Sequence, residues 1–176
     1  KHDGIRRRFY EKVKASPQLD NFCGDFLYEA DTCATIGTLM GLSATDTLVP
    51  CNTRCRMDLP MDLREYALWH QDAHYTKLPN AITAWIPLQD TPFELGPLKV
   101  MPGSHRLGAQ NHARGSKSKR WYIPSGWDEA VYGAEVRYIE MRKGDILLFH
   151  AHLLHSSSLN ITDRVRFSVQ TRYSAT

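Results

Sequence analysis

Residues 81–88 read Ala-Ile-Thr-Ala-Trp-Ile-Pro-Leu, and this stretch indicates the type of fold. Its aliphatic residues recur at every second position, while Thr83 and Trp85 fall on the opposite side. A period of two is typical of a strand, because successive side chains of a strand point to opposite faces of the sheet. The sequence therefore predicts a strand with one apolar face and one face that carries Thr83 and Trp85.

The same alternation recurs along the chain, often with a polar face. It predicts further strands over residues 47–58, 135–141, 146–150 and 164–173. Ahead of them, residues 3–15 and 20–40 have the periodicity of helices, and the second helical segment ends near Gly41. Because the polar faces of the strands carry the candidate site residues, we expect a barrel-like sandwich with a polar cavity inside and helices on its outer face.

The composition is that of a single soluble globular domain. The chain has 176 residues, of which 42% are hydrophobic and 23% are charged. We divide it into a helical flank at residues 1–46 and a β core at residues 47–176. No apolar run reaches the roughly 20 residues of a membrane span, and a net charge of +3 is too small to indicate nucleic acid. We expect no membrane or nucleic-acid partner, and either a monomer or a homodimer.

Four cysteines, at positions 23, 33, 51 and 55, do not follow the spacing of a metal motif. Cys51 and Cys55 are four residues apart on a predicted strand, a separation of about 13 Å that is too long for a disulfide. We interpret all four as free thiols in a reducing compartment and predict a cytoplasmic protein.

The basic residues are unevenly distributed. Between Glu94 and Asp128 the chain has no acidic residue and six basic ones. These are Lys99, Arg106, Arg114, Lys117, Lys119 and Arg120. Most of them fall in a long basic loop at about residues 103–133. One interpretation is a solvated loop, and the other is a mobile lid that attracts an acidic small-molecule substrate.

The tripeptide His70-Gln71-Asp72 is a candidate for two metal ligands. On a strand, its first and third side chains would point to the same face. Two imidazoles and one carboxylate form the facial triad, which holds Fe(II) and leaves three positions open. His74 would share that face, where a partly buried structural role is the simpler interpretation and contact with substrate the alternative.

Three histidines compete to be the third ligand: His150, His152 and His155. His155 shares the register of Leu147 and Phe149 and ends that apolar face, which favours it for a dry site. The other two histidines fall in the opposite register, which favours structural or surface roles.

Two arginines, Arg164 and Arg166, follow on the last predicted strand. The planar guanidinium suits a carboxylate, such as the far carboxylate of a bound oxo-acid. Spacing alone does not distinguish the two arginines.

Taken together, the motifs of the chain resemble those of the phytanoyl-CoA dioxygenase family. They are Trp69-His70-Gln71-Asp72, Trp85-Ile86-Pro87-Leu88, Gly96-Pro97-Leu98, Pro102-Gly103-Ser104-His105, Gly144-Asp145 and His155-Ser156-Ser157-Ser158-Leu159-Asn160. They run in the family order and cover roughly residues 47–173. The resemblance implies a mainly β fold, the double-stranded β-helix or cupin-like jelly roll, with flanking N-terminal helices.

The resemblance also implies the cofactors and the residues that bind them. The cofactors are Fe(II), 2-oxoglutarate as co-substrate, and dioxygen, and the implied iron ligands are His70, Asp72 and His155. The family places its 2-oxoglutarate arginine eleven residues after the distal histidine, which selects Arg166. The positions that line the co-substrate pocket in relatives correspond to Ser157, Trp85 and Arg56. His105 lies in a structural turn that borders the site and is not assigned to the metal.

The implied activity is that of a dioxygenase that hydroxylates a small organic substrate and releases succinate and carbon dioxide. Related halogenases replace the carboxylate ligand, so Asp72 favours hydroxylation over halogenation. The alternatives are a cupin-like metal-dependent isomerase or hydrolase without 2-oxoglutarate, and a catalytically silent binding module of the same fold. Since the chain begins at Lys1 and is shorter at its N-terminus than typical members, we also expect an upstream segment.

Overall fold

The structure is a computed structural model that describes most of the chain. The described residues are 2–17, 25, 27–43, 45–63, 66–114, 121–122 and 135–175. Cys23 and much of the basic loop, including Lys117, Lys119 and Arg120, lie outside the described residues. The lid hypothesis therefore stays a prediction.

Three α-helices and nine strands can be assigned within the described residues. The helices are α1 (His2–Lys14), α2 (Ala30–Met40) and the short α3 (Asp72–Thr76), with 3-10 helices at Phe93–Leu95 and Ser104–Leu107. The strands are β1 (Leu48–Asp58), β2 (Ile82–Pro87), β3 (Leu98–Val100), β4 (Ala113–Arg114), β5 (Trp121–Tyr122), β6 (Arg137–Ile139), β7 (Leu147–His150), β8 (His155–Ser157) and β9 (Arg166–Ala175). None of the helices in the described part of the chain has the length and apolar character needed to cross a membrane.

All the strand pairs are antiparallel. One sheet has the order β1-β9-β2-β7, a second has the order β6-β3-β8, and β4 pairs with β5 inside the long basic loop. The last pair gives the described part of that loop regular structure, which the sequence did not predict. The two larger sheets bring the predicted strands together.

The register of the four-stranded sheet places several polar side chains on one face. Thr83 lies opposite Arg172, and Asp58 lies opposite Arg166. Side chains directly opposite one another on paired strands share a face, and so do residues two apart on one strand. Arg166, Arg172, Thr83, Trp85 and Asp58 therefore point to the same side of the sheet.

The other face of this sheet is apolar and packs against the helical flank. The buried residues of this core are Leu27, Ile36, Ile82, Ala84, Ile86, Val169 and Tyr173. The hydroxyl of Tyr173 donates to the Leu27 carbonyl at 2.9 Å, and burial raises the pKa of Tyr173 to about 12. The rings of Phe9 on α1 and Phe167 on β9 lie 5.6 Å apart. Burial of this face explains why the helices flank the sandwich.

The structure contradicts two predictions about the strands. His70 forms an isolated bridge with His155, but Asp72 begins α3, so the metal-ligand tripeptide does not lie on a strand. The face shared with His74 is lost for the same reason. A turn at residues 151–152 separates β7 from β8, so alternation cannot be followed from Phe149 to His155. Tertiary pairing rather than strand period brings these side chains together.

Strand β1 is the long polar strand that the sequence predicted, but its pairing with β9 shifts between Cys51 and Arg54. Asn52 lies within this irregularity and has a φ of 52°. Cys51 and Cys55 are both on β1, and no disulfide joins Cys33, Cys51 and Cys55.

Candidate metal centre

Three side chains from separate parts of the fold converge on one point. His70 comes from the bridge before α3, Asp72 from its first turn, and His155 from β8. Asp72 Oδ1 lies 3.8 Å from Nε2 of His70 and 3.8 Å from Nε2 of His155. One potential ligand atom from each residue lies within 4.8 Å of the others. All three are buried, with Asp72 only 1% exposed.

Backbone carbonyls determine which nitrogen of each imidazole is available. His70 Nδ1 lies 2.7 Å from the Leu68 carbonyl oxygen, and His155 Nδ1 lies 2.9 Å from that of Leu153. A carbonyl only accepts, so the proton belongs on Nδ1 and the lone pair of each Nε2 points to the shared centre. Burial lowers the pKa of both histidines, which keeps the rings uncharged and able to bind a cation.

Asp72 is an ionised acceptor in a dry environment. Burial alone would raise its pKa, but the neighbouring imidazoles of His155 and His70, the charge of Arg172 and the hydrogen bond from Thr83 hold the pKa well below the usual range. The Thr83 hydroxyl donates to Oδ2 at 2.7 Å. Arg172 donates from Nη2 to both carboxylate oxygens at 2.8 Å and from Nε to Oδ2 at 3.1 Å.

Gln71, between the two ligands, fixes this part of the chain. Its side-chain amide donates to the carbonyls of Gly108 and His152 at 2.8 Å each, and its side-chain carbonyl accepts from the Gln110 amide at 2.8 Å. Its backbone amide donates to His112 Nε2 at 3.0 Å. These bonds join the tripeptide to residues 108–112, at the start of the long basic loop.

The donor set fits a divalent transition metal. Two neutral imidazoles and one carboxylate are the ligands of the facial triad. The second nitrogen of each ring is already bonded to the backbone, as metal-binding histidines usually are. The structure brings together the three predicted iron ligands, and their role as ligands stays a prediction.

Arg166 is 2% exposed and only partly satisfied. Its Nη2 donates to Asp58 Oδ2 at 2.7 Å, and the guanidinium carbon lies 5.7 Å from the Trp85 ring centroid. Its Nε and Nη1 are buried without a hydrogen-bond partner among the described residues. A buried donor that is left without a hydrogen bond costs on the order of 1–3 kcal/mol, and a charged donor costs more. Such a guanidinium fits the carboxylate of a bound molecule.

Asp58 connects Arg166 to Arg56. Arg56 Nη2 donates to Asp58 Oδ1 at 3.0 Å, so the two arginines bind opposite oxygens of one carboxylate. Burial opposes ionisation of Asp58, but Arg56 and then Arg166 lower its pKa to about 2. Arg56, predicted to line the co-substrate pocket, contacts Arg166 through this carboxylate.

The metal ligands and Arg166 are connected by packed side chains. The rings of His155 and Phe149 are 4.7 Å apart, and Phe149 belongs to the same buried cluster as Trp85, over which Arg166 lies. Ser157 is two residues after His155 on β8 and is 6% exposed. Its hydroxyl accepts a backbone hydrogen bond at 3.1 Å, which leaves its proton free to donate.

The other candidate residues are not part of the three-residue cluster found among the described residues. The rings of His150 and His152 are 5.3 Å apart, and the ring of His105 is 5.8 Å from that of His150. The ring of His74 stacks on that of His112 at 4.1 Å. Arg164 is exposed, in contrast to Arg166.

Sequence reasoning missed Arg172, Thr83 and Asp58 as parts of the site. Arg172 has the same strand parity as Arg166, so alternation along β9 could have identified it. Thr83 lies on the same face of β2 as Trp85. The contacts of Arg172 and Thr83 with Asp72 depend on strand pairing and could not be predicted from local spacing.

Comparison with known proteins identifies relatives in sequence. The sequence model of the phytanoyl-CoA dioxygenase (PhyH) family matches residues 18–168. The 1-deoxypentalenic acid 11-beta-hydroxylase of Streptomyces arenae is 36% identical over 111 residues, which are 58% of this chain and 39% of that protein. Human peroxisomal phytanoyl-CoA dioxygenase is 27% identical over 113 residues, which are 60% of this chain and 32% of that protein. The matched region spans less than half of either relative.

Solved structures share the fold. The apo form of the non-heme monooxygenase ThoJ has a TM-score of 0.72 at 23% identity, over 95% of this chain and 65% of that chain. The epimerase SnoN, in complex with Fe3+, alpha ketoglutarate and nogalamycin RO, has a TM-score of 0.67 at 23% identity, over 89% of this chain and 60% of that chain. These similarities confirm the predicted jelly-roll fold. Because the family model covers most of the sequence, the chain belongs to the phytanoyl-CoA dioxygenase family.

Proposed function

We propose that this chain is an Fe(II)- and 2-oxoglutarate-dependent dioxygenase that hydroxylates a small organic molecule. The observation that carries the proposal is that Nε and Nη1 of Arg166 are buried without a hydrogen-bond partner among the described residues, beside the hydrophobic cluster that contacts His155. A metal-dependent isomerase or hydrolase requires the three metal ligands but does not require a buried arginine that binds a carboxylate. An enzyme whose co-substrate carries a distal carboxylate requires both the metal ligands and such an arginine.

The iron would be held on one side by Nε2 of His70, Nε2 of His155 and Oδ1 of Asp72. Three coordination positions would remain for co-substrate and dioxygen. With both bound, the iron would supply the oxidation chemistry. One oxygen atom of dioxygen would enter a C–H bond of the substrate, and the other would enter succinate as 2-oxoglutarate loses carbon dioxide. The protein contributes binding, orientation and exclusion of water.

The charge of Arg166 favours an anionic co-substrate. Two arginines, Arg56 and Arg166, bind the carboxylate of Asp58, and Nε and Nη1 of Arg166 have no hydrogen-bond partner among the described residues. The side chain of Arg166 is 2% exposed and that of Arg56 is 18% exposed, so the Arg166 guanidinium is the more poorly solvated of the two. The distal carboxylate of 2-oxoglutarate would neutralise it through Nε and Nη1, and Ser157 would donate to the same ligand.

Family membership supports this proposal, since the family is one of non-haem iron and 2-oxoglutarate enzymes. A relative is named as a hydroxylase of a small organic acid, and the structural relative SnoN was solved with iron and alpha ketoglutarate. Hydroxylation is a more specific claim than dependence on iron and 2-oxoglutarate, and we propose it from the name of the hydroxylase relative. A small-molecule substrate is proposed on the same grounds.

The test is Fe(II)-dependent release of succinate from 2-oxoglutarate, with Arg166→Lys as the variant and Arg164→Lys as the matched control. Lysine retains the charge but cannot replace the two parallel donors of the guanidinium. We expect Arg166→Lys to weaken 2-oxoglutarate binding by roughly 2–5 kcal/mol and Arg164→Lys to leave it unchanged.

Metal-dependent turnover without succinate would favour the isomerase or hydrolase alternative. Ligand binding without any turnover would favour the silent binding module. Equal effects of the two lysine variants would refute the role of Arg166.

A further inference from the structure

The two oxygens of Asp72 have different environments. Oδ1 is the oxygen at 3.8 Å from both imidazole Nε2 atoms, and it accepts one hydrogen bond, from Arg172. Oδ2 accepts three, one from the Thr83 hydroxyl and two from the Arg172 guanidinium. With one donor among the described residues, Oδ1 therefore keeps a lone pair available to a metal, while the lone pairs of Oδ2 are occupied by its three donors.

The donors to Oδ2 are themselves held in place. Thr83 and Arg172 are paired across β2 and β9 and are 1% and 7% exposed. Arg172 Nη1 also donates to the carbonyl of Asn52 at 3.4 Å, in the irregular part of β1. Three neighbouring strands thus fix the orientation of the carboxylate.

We propose that Arg172, assisted by Thr83, is a positioning residue that restricts Asp72 to one metal-binding oxygen, Oδ1. The inference rests on the proposed function, because it concerns the same metal centre. A carboxylate whose second oxygen is free can chelate a metal and occupy a further coordination position. Oxygen-dependent chemistry with a chelating co-substrate needs that position open.

The charge of Arg172 argues for this role over simple metal retention. A cation beside the ligands repels a divalent metal, so a residue that served affinity alone would be neutral. The guanidinium instead neutralises Asp72 while the metal is absent and fixes its plane by two parallel donors. Orientation is the property that these contacts provide.

The test uses Co(II) as a spectroscopic probe in the full chain. The variants are Arg172→Lys, which keeps the charge and loses the fork, and Thr83→Val, which keeps the shape and loses the hydroxyl. Arg164→Lys is the matched control, because Arg164 is exposed. We expect Arg172→Lys to shift and weaken the visible d–d absorption of bound Co(II), because Oδ2 enters the coordination sphere and raises the coordination number. Thr83→Val should act in the same direction and less strongly.

A Co(II) spectrum like that of the wild type in both variants would overturn the proposal. Circular dichroism checks that the variants fold. If Arg172→Lys does not fold, the Co(II) spectrum of Thr83→Val alone tests the proposal. Succinate release by the wild type is measured separately. A wild-type protein that binds Co(II) but forms no succinate would refute the proposed function, while the Co(II) spectra would still test Arg172.

Discussion

Replacing Asp58 by asparagine tests the charge arrangement around Arg166. The substitution keeps the shape of the side chain but removes the charge that accepts hydrogen bonds from Arg56 at 3.0 Å and from Arg166 at 2.7 Å. Two arginines would then share a neutral amide in a largely buried position. We expect the metal-free protein without 2-oxoglutarate to be less stable.

The magnitude follows from the pKa of Asp58, which is about 2 in the folded protein against a usual 3.8. At about 1.4 kcal/mol per pH unit, this difference corresponds to about 2 kcal/mol of stability at neutral pH. Because the folded-state pKa is the lower one, this stability is present above pH 4 and is lost as the pH falls toward 2. The Asp58 side chain is 12% exposed, so little of this energy is screened by solvent.

The assay is urea unfolding of wild type and Asp58→Asn between pH 7 and pH 3, with the exposed Asp163→Asn as control. We expect a difference of about 2 kcal/mol at pH 7 that narrows below pH 4, and no such difference for the control. Saturating 2-oxoglutarate should stabilise Asp58→Asn more than the wild type, because the co-substrate carboxylate then replaces the negative charge that Arg166 has lost. Equal stabilities at pH 7, or a difference independent of pH, would refute this reasoning.

Three further predictions concern single side chains. His155→Ala should abolish metal binding and succinate release, whereas His152→Ala should keep both, as measured by Co(II) titration and succinate assay. Gln71→Ala should lower the free energy of unfolding by about 1–3 kcal/mol, since it leaves the partners of three side-chain hydrogen bonds unsatisfied; retention of wild-type stability would contradict this. Gly96→Ala should cost about 1–3 kcal/mol in urea unfolding, because φ is 79° and a Cβ would lie 2.8 Å from a backbone oxygen; a neutral effect would show that the turn can move.

The sequence predicted the strands well where one face is apolar and the other polar. The alternation of Thr83 and Trp85 with aliphatic residues holds in β2, all of whose residues are buried. It is weaker in β1, where the irregularity at Asn52 breaks the period. Such an irregularity depends on pairing with another strand, which a local pattern does not contain.

The candidate site was predicted largely by family motifs rather than by periodicity. Strand parity favoured His155, but a turn interrupts the strand on which that argument depended. The contacts of Asp72 with Arg172 span 100 residues of sequence, so no local pattern could show them. The pairing of β9 with β2 and β1 creates them, and only the fold reveals it.

We propose that one pocket binds iron and 2-oxoglutarate together. The most direct test is an anaerobic titration of 2-oxoglutarate into the Fe(II)-loaded protein, monitored by the visible charge-transfer absorption of an iron-chelated oxo-acid. We predict a saturable band in the wild type, no band in His155→Ala, and a much higher half-saturating concentration in Arg166→Lys. A wild-type protein that binds Fe(II) but develops no band at any concentration of 2-oxoglutarate would contradict the claim.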